Sequence, residues 1–309
     1  MAWMVFFAKL LSPNFKQIAK ESNKIQLVTI GFSHYCELAA WCLKAEGIPF
    51  TEHAYGPAQH VLPAIALRVG GKSEKHLSSS SRMTVVVSPN QTPEEAAKIA
   101  AREVKRDKSA RSTAVPVAVD PHGEVWADSW DIATKTGLPE IDPTMKKLLD
   151  EKVGIWARQL SYHYVLSPRN NNIFNQLFTI NSSWWWKLLW WLFLSSNIKQ
   201  AMVKMMKPYD QAAVTECRNN LNTTLNELNT IVLSKKTKFL YTDATIGVSD
   251  IAVAALIGPL VNPPEYCEGR YKDVFNMMIA QDPEARAEME RVRSMPIGKY
   301  VMELYADHR

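Results

Sequence analysis

Cysteine is scarce: Cys36, Cys42, Cys217 and Cys267 are the only four among 309 residues. Their irregular spacing forms no paired zinc-type motif. That excludes a disulfide-dense scaffold and favours a reducing compartment, the cytoplasm. The seven histidines are scattered, with none at ligand spacing to another histidine or to a cysteine, so no metal is expected. Glycine numbers only 12, and Gly70-Gly71 is a lone pair rather than a phosphate-cradling loop. A strong basic stripe is also missing. The 36 Lys and Arg against 31 Asp and Glu leave a formal charge of +5, and no nucleic-acid partner is expected from so mild an excess. With 47% apolar and 22% charged residues the chain is neither disordered nor collagen-like. No internal repeat is visible, and the length suits about two domains.

No apolar run is long enough to span a bilayer, but two shorter ones stand out. Met1 to Ala8 is almost wholly apolar and is broken by Lys9. No basic residue precedes it, which argues against a cleaved secretory signal. Residues 1–24 are read as a leader, and Lys9, Lys16, Lys20 and Lys24 leave organelle targeting open. The second run, from Trp184 to Leu194 (WWWKLLWWLFL), is apolar at every position but Lys187. As a helix it measures about 16 Å, roughly half a hydrocarbon core. A helix apolar on all sides is either buried or in contact with lipid. Burial in the second half of the chain, lining an apolar pocket, is expected. An in-plane membrane-surface contact is the rival, since tryptophan favours the interface and Lys199, Lys204 and Lys207 follow.

What is present has a clear order. Residues 25–30 (IQLVTI) read as a buried strand, Gly31-Phe32-Ser33-His34 as a turn, and 35–46 as a helix closed by Gly47. A second strand at 49–53 completes a right-handed strand–helix–strand crossover. Residues 74–112 read as a charged surface insertion. Inside it Thr92-Pro93-Glu94-Glu95 forms a capping box with proline at the first helical position. The unit resumes with strands at 115–119 and 125–127 as a hairpin, and Asp128-Ser129 opens a helix. Residues 137–145, with Gly137, Pro139 and Pro143, are a linker, and 146–309 are helical.

Three constellations can carry chemistry. Ser33-His34-Tyr35-Cys36 stands between a strand and a helix, where unpaired N–H groups and the positive dipole end stabilise a thiolate. Ser33 holds the first position and can donate to such a thiolate, while Cys36, one turn on, faces inward. A plain N-cap serine and a buried cysteine explain the same residues. Val115-Pro116 begins the resumed sheet, where proline belongs at a strand start. The backbone of Val115 could pair with an extended ligand. Asp128-Ser129 offers a carboxylate for an ammonium, and a hydroxyl with free N–H groups for a carboxylate. An ordinary helix cap explains these two equally well.

Their order resembles the glutathione transferase superfamily. Gly31 to Cys36, Trp41-Cys42-Leu43, Gly47-Ile48-Pro49-Phe50, Val115-Pro116-Val117 and Asp128-Ser129-Trp130-Asp131-Ile132 carry the likeness in the first half. Ser249-Asp250-Ile251-Ala252, Gly258-Pro259-Leu260, Pro263-Pro264-Glu265-Tyr266, Pro296-Ile297-Gly298-Lys299-Tyr300 and the terminal 305–309 resemble a transferase-like branch common in bacteria. The resemblance implies an α/β thioredoxin-like N-terminal domain at 25–136, interrupted by the insertion, plus an all-α C-terminal domain. It implies glutathione as co-substrate, with Ser33 as the activating residue. Val115 would pair with the cysteinyl unit, beside a cis Pro116. Asp128 and Ser129 would hold the γ-glutamyl end, with Lys72 a looser candidate for the glycyl carboxylate. Arg158 and Tyr162 are candidates for the wall of a second pocket, and Cys36 for a redox role. Gly247 stands where the family has a capping Ser or Thr before its buried aspartate, here Asp250, a departure worth a few tenths of a kcal/mol.

The expected activity is transfer of the glutathione thiolate to small apolar electrophiles, a detoxification reaction, and the family analogy adds a homodimer. A glutathione-dependent thiol reductase is one alternative, which Ser33 opposes because serine forms no mixed disulfide. A non-catalytic, membrane-associated glutathione-binding protein is the other.

Overall fold

The computed structural model describes residues 10–69, 86, 89–95, 97, 113–180 and 182–309. Lys72, Gly70-Gly71, residues 1–9 and most of the insertion lie outside the described residues. The first half builds a sheet with helices on both faces. Helix α1 (Phe15–Ser22) leads into β1 (Ile25–Ile30), α2 (His34–Ala45), β2 (Phe50–Tyr55) and α3 (Val61–Arg68). After the insertion come β3 (Val117–Val119), β4 (Val125–Trp126) and α4 (Ser129–Lys135). The strand order is β2-β1-β3-β4. Strand β1 runs parallel to β2, pairing Ile25 with Phe50 and Ile30 with Tyr55, and antiparallel to β3, pairing Gln26 with Val119 and Val28 with Val117.

Alternation along the strands sorts side chains to the two faces. Val28, Val117 and Val119 pack with Phe15, Ala64 and Leu67 of α1 and α3. Leu27 and Ala118 face the other way, against Ala39, Ala40 and Leu43 of α2 and Ile132 of α4. The opposite side of α2, with Tyr35, Leu38, Trp41 and Cys42, joins the core of the helical half. Every residue of α2 from His34 to Leu43 is therefore buried.

That half comprises α5 (Pro143–Leu148), which runs through a π-helical segment into α6 (Gly154–Val165), then α7 (Asn171–Thr179) and α8 (Trp184–Leu189). A second π-helical segment, Trp190–Leu194, joins α8 to α9 (Ser195–Met206). Helices α10 (Gln211–Ser234), α11 (Val248–Val261), α12 (Lys272–Gln281), α13 (Pro283–Ser294) and α14 (Pro296–His308) complete it. Helix α11 is buried along nearly its whole length at the centre. Asp250 organises its start: Oδ1 accepts from Leu240 N–H at 2.9 Å and Tyr300 O–H at 2.6 Å, and Oδ2 from Gly247 N–H at 3.1 Å. Among the described residues, no helix is long and apolar enough to cross a membrane.

Within the segment read as a leader, α1 packs Phe15 and Ala19 against the sheet. Two sequence expectations change. The insertion is more than a surface appendage. Val86 N–H donates to Met205 carbonyl at 2.8 Å, Lys207 Nζ bonds Gln91, and Val86 packs on the main core. The capping box itself forms, with Thr92 and Glu95 bonded reciprocally at 3.1 and 3.3 Å.

The second is the tryptophan-rich helix, which is not buried. Only Trp190 is fully enclosed, stacked on Phe174 and Phe178 with its Nε1 on Asn175 Oδ1 at 2.9 Å. Trp186 and Leu194, four residues to either side, are half-buried, and the remainder faces outward. One narrow stripe at i, i+4, i+8 spacing satisfies the packing, because the body offers α8 a single contact surface.

Candidate functional site

Sheet topology gathers the three constellations at one end. Strand β1 finishes at Ile30, and the turn to Ser33 leaves from there, with Ser33 N–H on Ile30 carbonyl at 2.9 Å. Strand β3 is antiparallel to β1, so its start lies beside the end of β1. Carried on two residues, the register of Val28 with Val117 brings Val115 level with Ile30. Strand β4 is antiparallel to β3, with Ala118 opposite Trp126, and it runs back to the same end to deliver Asp128 and Ser129.

Ser33 is the N-cap residue of α2 but makes no side-chain cap hydrogen bond, and it is partly exposed. Its hydroxyl faces the Cys36 thiol instead, which also receives Ile30 N–H at 3.4 Å. Burial pushes the Cys36 thiol up to about 12, against the lowering effect of the Ile30 and Ser33 hydrogen bonds. A buried, protonated thiol is neither a nucleophile nor reachable by a disulfide, so the redox role expected for Cys36 does not fit its surroundings. The turn is held from the helical half: Tyr266 O–H donates to Phe32 carbonyl at 3.0 Å, and the Phe32 ring packs on Phe178 and Tyr271. Gly56, at the end of β2, approaches the same element. An added Cβ would stand 2.4 Å from Phe178 carbonyl oxygen.

The Val115–Pro116 peptide is cis, the isomer the resemblance implies. Asp128 caps α4, accepting from Trp130 N–H at 2.9 Å and Asp131 N–H at 3.0 Å. Asp128 and Ser129 are 4% and 0% exposed, so a ligand that engages them must displace whatever covers this end of the sheet. Ser129 Oγ is buried without a hydrogen-bond partner. So is Nη1 of Arg68, whose Nη2 donates to Ala127 carbonyl at 2.9 Å. Burial pulls the Arg68 guanidinium down to about 10, and the Asp128 charge opposes the fall. An unsatisfied guanidinium N–H and an unsatisfied hydroxyl beside one carboxylate suit a ligand with its own carboxylate and ammonium.

Arg68 was not among the sequence candidates. Its only sequence signal is a charge ending an otherwise apolar helix. Lys72 lies outside the described residues. Arg158 sits with its guanidinium 5.8 Å from the Tyr35 ring centre and lines a cavity of about 220 Å3 with Trp156, Met206, Glu216 and Cys217. Tyr162 does not line this cavity, nor does any residue of 184–194. His34 is enclosed behind the turn, with Nε2 3.1 Å from Gly154 carbonyl. Among the described residues, no group of three or more His, Cys, Asp or Glu could hold a metal ion.

No family model matches the chain, and no curated protein matches it. Among solved structures, a glutathione S-transferase of Ceriporiopsis subvermispora in complex with glutathione is similar at 11% identity and TM-score 0.45, covering 92% of this chain and 98% of that one. A glutathione transferase of Phanerochaete chrysosporium in complex with oxidized glutathione has 11% identity and TM-score 0.42, covering 94% and 99%. One from Methylobacillus flagellatus with glutathione bound has 14% identity and TM-score 0.36, covering 90% and 98%. With four strands ordered β2-β1-β3-β4, helices on both faces and an all-helical second half packed along α2, the chain folds as a thioredoxin-like α/β unit followed by an all-helical one.

Proposed function

We propose that this protein is a glutathione transferase that joins the glutathione thiolate to small apolar electrophiles. The observation that carries this reading is the convergence at one sheet end of a hydroxyl not used to cap its helix with the unsatisfied Ser129 and Arg68 donors around Asp128. Asp128 would pair with the α-ammonium of glutathione, and Ser129 and Arg68 with its α-carboxylate. The Val115 backbone would take the cysteinyl unit. Ser33, not engaged in capping its own helix, would turn its hydroxyl from the Cys36 thiol to the glutathione sulfur. The positive end of α2 and the Ser33 O–H stabilise the thiolate, which attacks the electrophilic carbon. A C–S bond forms, and the leaving group departs with the displaced electron pair. Holding both reactants together supplies the rest of the rate. The dimer suggested by the family analogy and a cytoplasmic location belong to the same reading. The buried Cys36 speaks against the reductase alternative.

The test is retention on immobilised glutathione, followed by a conjugation assay with a chromogenic chloronitrobenzene. Retention with conjugation supports the transferase. Retention without conjugation makes the protein a glutathione binder, and no retention removes glutathione altogether.

A further inference from the structure

The outward face of the tryptophan-rich helix is the largest feature the proposed catalysis leaves unused. Trp184, Trp185, Leu188, Trp191, Leu192 and Phe193 are between 50% and 79% exposed. At roughly 200 Å2 for a large side chain, their exposure amounts to on the order of 750 Å2. Soluble monomers rarely carry an apolar patch beyond about 300–600 Å2. The patch is one face of α8 and the π-helical segment after it. Trp190 fixes the opposite face to Phe174 and Phe178.

The stretch of chain that carries it is one-sided in charge. From Lys152 through Tyr209 the chain contains Lys152, Arg158, Arg169, Lys187, Lys199, Lys204 and Lys207, and no aspartate or glutamate at all. Lys187 stands exposed inside the patch, and Lys204 is exposed on α9. An isologous contact between two copies would lay this patch, Lys187 included, against itself. An anionic lipid surface meets both demands: acyl chains and headgroups accept leucine and tryptophan, and lipid phosphates and carboxylates accept lysine. An in-plane helix normally turns a polar face to water. Here that face is replaced by the protein body through Trp186, Trp190 and Leu194, so the missing charged face is no objection.

We infer that α8 and the turn after it, with Trp184, Trp185, Leu188, Trp191, Leu192 and Phe193 at the contact, dock this protein in the plane of an anionic membrane surface. The inference is independent of the proposed catalysis. The full-length protein is tested by co-sedimentation with vesicles of phosphatidylcholine alone and of phosphatidylcholine with about one-third phosphatidylserine. Binding to the mixed vesicles about tenfold tighter than to the neutral ones is expected, with a blue shift of tryptophan emission. The double variant Trp184→Ser/Trp191→Ser should weaken binding at least tenfold, and Lys187→Glu about tenfold. Both sets of positions are exposed, and unchanged thermal melts verify the fold. Equal binding to both vesicle types overturns the anionic assignment. Absence of binding overturns the docking itself. In that case, self-association lost in the double variant assigns the patch to a second copy, and tryptophans shielded from acrylamide assign it to another part of this chain.

Discussion

Ser33 and Cys36 lie one helical turn apart and have different surroundings. Ser33 is at the mouth of α2, with a hydroxyl unneeded for capping, and Cys36 is sealed beneath it. Ser33→Ala should lower conjugation about 10²-fold, the scale for removing one donor to a developing or stabilised anion. It should also raise the pKa of the bound thiol, with melts unchanged. Stopped-flow absorbance of the thiolate against pH checks this, and an unaltered titration would remove Ser33 from the assignment. His34 governs a different property. Desolvation, and secondarily the Arg158 charge, pull its imidazole from 6.5 to about 3, against the Gly154 hydrogen bond. The unfolded chain therefore takes up a proton near pH 6.5, while the folded chain resists until about pH 3. Stability from this group is complete above pH 6.5 and is lost as pH falls. At about pH 5 the loss reaches about 2 kcal/mol. Urea midpoints at about pH 7 and pH 5 should differ less in His34→Gln than in the parent. His60, pulled to about 4 mainly by burial, adds a parallel contribution that this variant leaves in place.

At the scale of elements, packing overrules local pattern in two places. Helix α3 (VLPAIALR) is apolar over most of its surface and holds a proline in its first turn, so no periodicity announces it in the sequence. Its Ala64 and Leu67 are nonetheless fixed by the sheet face they cover. The insertion reads as solvated because its charges dominate, yet Val86 inserts beside α9 and lines the cavity with Arg158. Joining residue 73 directly to 113 should still yield a folded protein. It forfeits the Val86–Met205 hydrogen bond and the packing of a half-buried valine, about 2 kcal/mol together. A Tm lower by about 3–6 °C is expected by calorimetry. An unchanged Tm would mean that the Val86 contact contributes nothing, and a molten product would make the segment indispensable.

The two halves of the molecule are tied through α2. Arg309 reaches across to Glu37, Nε to Oε1 at 2.8 Å and Nη2 to Oε2 at 3.1 Å, with both side chains 1% exposed. Trp41 Nε1 donates to His308 carbonyl at 3.1 Å beside them. Burial and the paired charges act in opposite directions on Arg309, and the Glu37 bonds keep its guanidinium firmly protonated. Removing one member of such a buried pair strands the other, at a cost of about 3–5 kcal/mol. Arg309→Ala and Glu37→Ala should each lower the unfolding free energy, measured by urea denaturation, by that amount. The double variant should cost less than the sum, since neither charge is then left alone. Strict additivity would mean that the pair does not couple the halves.

Local chemistry made much of this protein legible in its sequence. The β-branched run at 25–30 is β1, Gly47 follows the end of α2, Thr92 and Glu95 cap each other, and Asp128 starts α4, because caps and periodicity act over a few residues. The ordering of Ser33, Val115-Pro116 and Asp128-Ser129 pointed to their meeting, but only antiparallel pairing of β3 on β1 and β4 on β3 brings them to one end of the sheet. Arg68 joined them through its burial beside Asp128, a contact across 60 residues that spacing does not encode. The run from Trp184 to Leu194 carries no polar face from which to choose an inward side. Phe174, Phe178 and Asn175 chose it by capturing Trp190, since a helix apolar all round takes its orientation from the surface it meets.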